Sequence, residues 1–345
     1  MKVEILINDG SPIGVTMKTL WGEPSQIGVG GAELALLTMC EAWHNAGHEV
    51  ILYNSPRDPY GSPFEQRNIS DFDPKKNRDF VIIFRSPNPK GLVSKGLKFW
   101  WSTDQFTVGD FRSFSHHVDK IICISEFHQK YFEKTYGING SIIIDLPVRV
   151  NDYIEPQAKI PNRLIFTSIP DRGLQFLRHA WPQLKKEVPD LSLVITSDYR
   201  LWGADGPRNE KHRVHWIGQK DVKFLGAITR QELIQHELEA QILAYPCLYD
   251  ELFCISCAEA QVAGAYPITS SIGALETTNM GTIIHGHPQD IGFLTRFTKE
   301  IVELLNNPDE LKKKQDEVKQ KATERFHPDN ILKQWNSLVF GGDNG

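Results

Sequence analysis

Two patterns of apolar positions alternate along this chain. Short, nearly continuous apolar runs are separated by stretches whose apolar residues recur every three or four positions, so buried strands alternate with amphipathic helices. VEILI (3–7), HEVILYN (48–54), RDFVIIFRSP (78–87), GLKFWWSTDQF (96–106) and the start of VDKIICISEFHQKYF (118–132) are the runs of the first half. NRLIFTS (162–168), LSLVIT (191–196), VKFLG (222–226), QILAYP (241–246) and AYPITS (265–270) are those of the second. Between the first two lies ELALLTMCEAWHNAG (33–47), with Leu34, Leu37, Cys40 or Glu41, and Trp43 or His44 at three-to-four spacing and Gly47 as the stop. A strand–helix–strand repeat of this kind predicts parallel sheets with right-handed crossovers. The expected fold class is α/β, with two similar halves.

The pattern breaks once. LPVRVNDYIEPQAKIPN (146–162) is rich in proline, charge and polar residues and reads as a linker between domains. Residues 1–150 are one expected Rossmann-like domain and 151–325 a second, with 326–345 as a closing helix. Ser125 is the expected N-cap of one helix, and Thr229 with Glu232 forms a capping box for another. Residues 199–220 read as an insertion or long loop, and 297–325 as one or two charged amphipathic helices.

Candidate chemistry concentrates in PCLYDELFCISCAEAQVAGAYPIT (246–269). Glu251 falls in the loop after a strand and Glu259 on the helix that follows, seven residues lying between them. Acidic groups at the carboxyl end of a parallel sheet lie where open α/β sheets bind ligands. Ionised carboxylates only accept hydrogen bonds, which suits hydroxyl-rich ligands such as sugars. The E-x7-E spacing, followed by A-x-x-x-G-x-x-P-I, resembles the donor site of retaining glycosyltransferases with the GT-B fold, family 4 in particular.

That resemblance implies two Rossmann-like domains with parallel sheets facing each other across a cleft, the second binding the nucleotide sugar. It implies transfer of a hexose from a UDP- or GDP-linked donor to an acceptor hydroxyl with retention of configuration. Glu251 would be the sugar-side residue and Glu259 the ribose-side residue. Arg172 and Gly173, in SIPDRG before a helix, would hold the donor diphosphate. Here Arg172 stands where the family commonly has Lys-Gly, and no upstream arginine matches. Gly30 and Gly31, in the glycine-bearing loop 22–32, resemble the family loop that faces the donor phosphate, and Gly273 lies in a loop next to the donor. The last helix would cross back to the first domain. Where family members often carry a histidine or His-Asp pair, this chain has Trp101-Ser102-Thr103-Asp104; Asp104 is the remaining candidate for a sugar hydroxyl, with a helix N-cap as the plainer role.

Composition narrows the choice. The 345 residues suit about two domains, and a net charge of −5 argues against a nucleic-acid partner. Five irregularly spaced cysteines, Cys254 and Cys257 among them, suit a reducing, cytoplasmic setting rather than a disulfide scaffold. The N-terminus does not read as a signal peptide, and no long apolar run predicts a membrane span. From Gly28 the sixth position is Glu33, so the dinucleotide fingerprint G-x-G-x-x-G is missing, which argues against an NAD-dependent oxidoreductase. No metal and no cofactor beyond the donor substrate are expected. The acceptor is left open among glycan, lipid-linked and protein-linked hydroxyls, with peripheral membrane contact compatible with any of them. The alternatives are a GT-B protein that binds nucleotide sugar or glycan without transfer, and an epimerase-like or hydrolytic GT-B enzyme.

Overall fold

A computed structural model describes residues 1–7, 14–21, 29–105, 108–155, 157–196, 198–202 and 207–340. The described chain divides into two compact units. One comprises Met1–Trp21, Val29–Pro147 and the chain from Pro328; the other comprises Val148–His327.

The first unit is built on a seven-stranded sheet, all of whose pairings are parallel. Its strands are β1 (Lys2–Leu6), β2 (Glu49–Tyr53), β3 (Glu65–Arg67), β4 (Phe80–Phe84), β5 (Leu97–Trp101), β6 (Lys120–Cys123) and β7 (Ile142–Ile143). They run in the order β3-β2-β1-β4-β5-β6-β7. The central strand β4, FVIIF, is buried along its whole length, as expected of a strand covered on both faces. The edge strands β3 and β7 are too short to carry a readable period and were not expected.

The second unit holds a six-stranded parallel sheet of β8 (Arg163–Phe166), β9 (Ser192–Thr196), β10 (Val222–Gly226), β11 (Ile242–Tyr245), β12 (Tyr266–Ser270) and β13 (Thr282–Ile284). Their order is β10-β9-β8-β11-β12-β13. In each sheet the chain winds outward one way and then the other. The reversal falls between β1 and β4 in the first unit and between β8 and β11 in the second. Crevices at such reversals, outside the carboxyl ends of the strands, are where ligands enter open α/β sheets. Two such parallel sheets, one in each unit, are what the GT-B resemblance implies.

Local signals set the helix ends. Ser125 Oγ accepts from His128 N at 3.0 Å to open the helix Glu126–Tyr136, which closes on Gly137 at φ 67°. Thr229 Oγ1 accepts from Glu232 N at 3.3 Å, and Glu232 Oε2 from Thr229 N at 3.0 Å, completing the capping box of Arg230–Glu239. The charged stretch near the C-terminus forms two helices, Phe293–Leu305 and Pro308–Arg325. One expectation fails: the 199–220 stretch is not simply a loop. It contains the 3-10 turns Tyr199–Trp202 and Val214–Trp216 and the helix Pro207–Arg213, with Trp216 buried in the core as an anchor. Among the described residues no helix is long and apolar enough to cross a membrane.

The last helix, Pro328–Phe340, belongs to the first unit. Its Trp335 is fully buried, edge-on to Trp43 of the helix Gly31–Asn45 and to Trp101 of β5, with ring centroids 5.4 and 5.3 Å away. Aromatic pairs favour this geometry. Trp335→Ala is expected to lower stability by about 3–5 kcal/mol, the usual range for emptying a buried tryptophan site. The denaturant midpoint checks this; an unchanged midpoint would show that the helix adds nothing to the first unit.

Candidate functional site

Three loops of the second unit meet at Glu251. They follow β8, β11 and β12, so they frame the reversal between β8 and β11. Leu248 N donates to Arg172 O at 3.2 Å, and Ala274 N to Glu251 O at 2.7 Å, tying the loops by their backbones. The approach is close enough to require glycine at two places. Gly173 has φ 145°, and a Cβ there would stand 2.3 Å from the Pro246 carbonyl oxygen. Gly273 has φ 63°, and a Cβ there would stand 2.5 Å from both the N and the O of Glu251.

Glu251 is 4% exposed, and its charge is met from two sides. Arg172 Nη1 donates to Oε1 at 2.8 Å and to Oε2 at 2.9 Å. The Tyr245 hydroxyl, at the end of β11, donates to Oε1 at 2.6 Å. The guanidinium carbon lies 4.4 Å above the centroid of the Tyr249 ring. Burial works against the charge on Arg172, but the Glu251 carboxylate outweighs it and raises the arginine above its ordinary value. Burial likewise pushes the Tyr245 phenol well up, so it remains a donor. Sequence reasoning assigned Arg172 to a diphosphate and Glu251 to a sugar, each on its own. The structure adds that the two form one ion pair.

Cys254 and Cys257 flank this loop as core residues. Both are buried, burial raises both thiols, and Cys254 takes a left-handed conformation, φ 70°, at the start of the helix Ile255–Val262.

Glu259 lies on that helix and is buried in a different setting. Arg230 Nη2 is 2.6 Å from its Oε1, with side-chain exposures of 4% and 5%. The same Nη2 donates to the Tyr153 hydroxyl at 3.0 Å, which donates to Glu237 Oε2 at 2.6 Å. Lys159 Nζ donates to Ala263 O at 2.9 Å, at the end of the Glu259 helix. Burial raises the Glu259 carboxyl, and Arg230 opposes the rise. Glu237 is pushed up to about 8 by burial and then by the Glu259 charge, and burial brings Lys159 down to about 7. Arg230, Tyr153 and Glu237 were not found from the sequence. The capping box marked a helix start at Arg230, but nothing local showed that its side chain turns inward.

Gly30, Gly31 and Asp104 belong to the first unit. Gly30 is the N-cap of Gly31–Asn45, so Gly31, read as part of the loop, is already the first residue of the helix. Gly28 and the rest of 22–28 lie outside the described residues. Glu33, in the first turn, is ion-paired with Arg85, which follows β4 with φ 66°. Glu33 thus brings a carboxylate to a helix start read as a phosphate site, and Arg85 compensates it. Asp104 follows β5, and its Oδ1 accepts from Gln105 N at 2.6 Å. Among the described residues it caps no helix: the N-cap of Phe111–Ser115 is Asp110.

Residues 161–307 match the family model for glycosyl transferases group 1. The matched segment lies within the second unit. The match takes in Arg172, Gly173, Arg230, Glu251, Glu259 and Gly273, and it bears out the resemblance carried by the two glutamates. No curated protein matches the chain by sequence. Among solved structures, a glycosyltransferase from Rickettsia africae is similar with TM-score 0.74 and 14% identity, 99% of each chain being covered. Sucrose-phosphate synthase from Thermosynechococcus elongatus is similar with TM-score 0.72 and 14% identity over 98% of both chains. HepE from Anabaena, in complex with UDP and glucose, has TM-score 0.69 and 14% identity over 98% of this chain and 99% of its own. At such identities the likeness is one of fold, and it extends beyond the matched segment to nearly the whole chain.

The buried carboxyl of Glu237 makes the domain pH-sensitive. Its folded value of about 8 lies above the ordinary 4.5. The folded state therefore holds a proton that the unfolded state releases, and stability from this group falls as pH rises between those values. Glu237→Gln keeps the neutral shape. Its melting temperature is expected to match the parent near pH 4.5 and to exceed it by a few degrees at pH 8. Lys159 and Glu259 titrate in both proteins but feel the Glu237 charge, so the difference reads Glu237 together with its coupling to them. A constant difference across the range would place the Glu237 carboxyl at its ordinary value.

Proposed function

We propose that the protein is a retaining glycosyltransferase that moves a hexose from a UDP- or GDP-linked donor to an acceptor hydroxyl. The carrying observation is the Arg172–Glu251 pair at the reversal between β8 and β11, inside the matched segment. The fold shared with HepE, solved with UDP-glucose, supports a nucleotide-sugar donor.

The chemistry needs charge of both signs at one place. As the bond to the anomeric carbon breaks, negative charge grows on the diphosphate and positive charge on the sugar. Preorganised groups of opposite sign lower both costs. Arg172, with the N-terminal amides of Leu174–Glu187 behind Gly173, would face the diphosphate without a metal ion. Glu251 would accept hydrogen bonds from the sugar hydroxyls and steady the positive carbon. Glu259 would accept from the ribose, Gly273 would let the Glu251 loop close, and Gly30, Gly31 and Asp104 would serve donor and acceptor from the first unit.

Two substitutions test the assignment. Glu251→Gln is expected to keep the affinity for UDP or GDP and to lose transfer by about tenfold to over a hundredfold, the weight of one charged hydrogen bond. Calorimetry with the nucleotides, beside product formation from a panel of UDP- and GDP-linked hexoses, reads both effects. Transfer at the parental rate would make Glu251 structural only. Nucleotide binding without product from any donor in the parent itself would favour a protein that binds but does not transfer; the segment Trp101–Asp104, without histidine, is the observation on that side.

Glu259→Ala is expected to weaken UDP or GDP binding itself by about tenfold. Undiminished binding by calorimetry would remove Glu259 from the ribose. The anomeric configuration of the product, read by NMR, decides retention.

A further inference from the structure

Among the buried charges of the second unit, Arg230 has no part in the chemistry just described. It is the first residue of Arg230–Glu239, and the capping box fixes where that helix begins. Its side chain leaves the surface and ends against Glu259 Oε1 at 2.6 Å. Two helices could be packed more cheaply by apolar groups, because taking an Arg and a Glu out of water costs several kcal/mol per ion. An ion pair at this place calls for a use of the charge.

The geometry suggests one. Burial alone drives a carboxyl toward its protonated form, which turns one of its acceptors into a donor. A ribose presents two adjacent hydroxyl donors and needs an ionised acceptor. Among the described residues the counter-charge of Glu259 falls on Oε1, where Arg230 Nη2 stands at 2.6 Å. The guanidinium is fixed in turn: Nη2 donates to the Tyr153 hydroxyl at 3.0 Å, and that hydroxyl donates to Glu237 at 2.6 Å. Arg230 thus opposes the effect of burial on this carboxyl and orients it from one side.

We propose that Arg230 is a positioning residue for nucleotide recognition, holding Glu259 ionised and turned so that Oε2 accepts from the ribose hydroxyls of the donor. The proposal rests on the reading of Glu259 as the ribose residue. It extends the donor site to a residue that touches no substrate and lies 29 positions before Glu259 (259 minus 230).

The ribose hydroxyls themselves distinguish this role from a purely structural one. Calorimetry would compare UDP and GDP with their 2′,3′-dideoxy forms on the full chain. The parent is expected to bind the better ribonucleotide about tenfold more tightly than its dideoxy form. Arg230→Gln is expected to lose that tenfold for the ribonucleotide and to bind the dideoxy form as the parent does. Arg230→Lys keeps the charge without the guanidinium fork and is expected to show a smaller loss, again for the ribonucleotide alone. It keeps the comparison readable if Arg230→Gln does not fold. Equal losses on both forms, or no loss on either, overturn the proposal while Glu259→Ala still lowers ribonucleotide affinity. If the parent does not discriminate the dideoxy form and Glu259→Ala binds as the parent does, the ribose reading fails and the proposal with it. If neither diphosphate binds the parent, the transferase reading fails as well.

Discussion

A carboxylate that is almost out of water must have its charge met by neighbours, and Glu251 imposes that requirement on the loops around it. Arg172 has to come from the loop after β8 and the Tyr245 hydroxyl from the end of β11. The loops can approach only because Gly173 and Gly273 carry no side chain where the Pro246 carbonyl and the Glu251 backbone pass. The ion pair, the two glycines and the sheet reversal therefore depend on one another. Removing one partner would leave a buried charge uncompensated, a larger penalty than the loss of the contact alone.

The second glutamate meets the same difficulty differently. Glu259 is carried on a helix rather than a loop, so its direction is set by helix packing. Its counter-charge comes from the start of another helix, and behind it stand a tyrosine, a second carboxyl and a lysine. The Glu251 site is built from loops that glycine allows to close, whereas the Glu259 site is held by regular elements. A group that must follow a reacting sugar and a group that must hold an unreacting ribose would be expected to differ in this way.

The first unit offers a related arrangement on a smaller scale. Gly30 and Gly31 open a helix whose first turn carries Glu33, paired with Arg85 in a left-handed conformation after β4. Backbone strain at a bulky residue is found where neighbours over-determine it, commonly near functional positions. The pairing explains how a negative side chain is kept beside amides that favour anions.

What the sequence determined by itself was local. Apolar runs and three-to-four spacing located the longer strands and helices, because burial on a regular element repeats with that element's period. Ser125 and the Thr229–Glu232 box marked helix starts, because a cap is satisfied within three residues. The seven residues between Glu251 and Glu259 put one carboxylate in a loop and the other on a helix. The pairings were settled only by the tertiary structure. Arg172 and Glu251 are 79 positions apart, and a lone arginine looks the same in sequence whether solvated or buried. Arg230 read as the exposed start of a capped helix, and its turn toward Glu259 exists only where two helices pack. Helix Pro207–Arg213 and strands β3 and β7 were missed because elements so short show no period, and they form where a larger surface is already there to receive them. Charges in an unfolded chain are screened by water and barely choose partners. Burial makes the choice, and burial is a property of the whole fold.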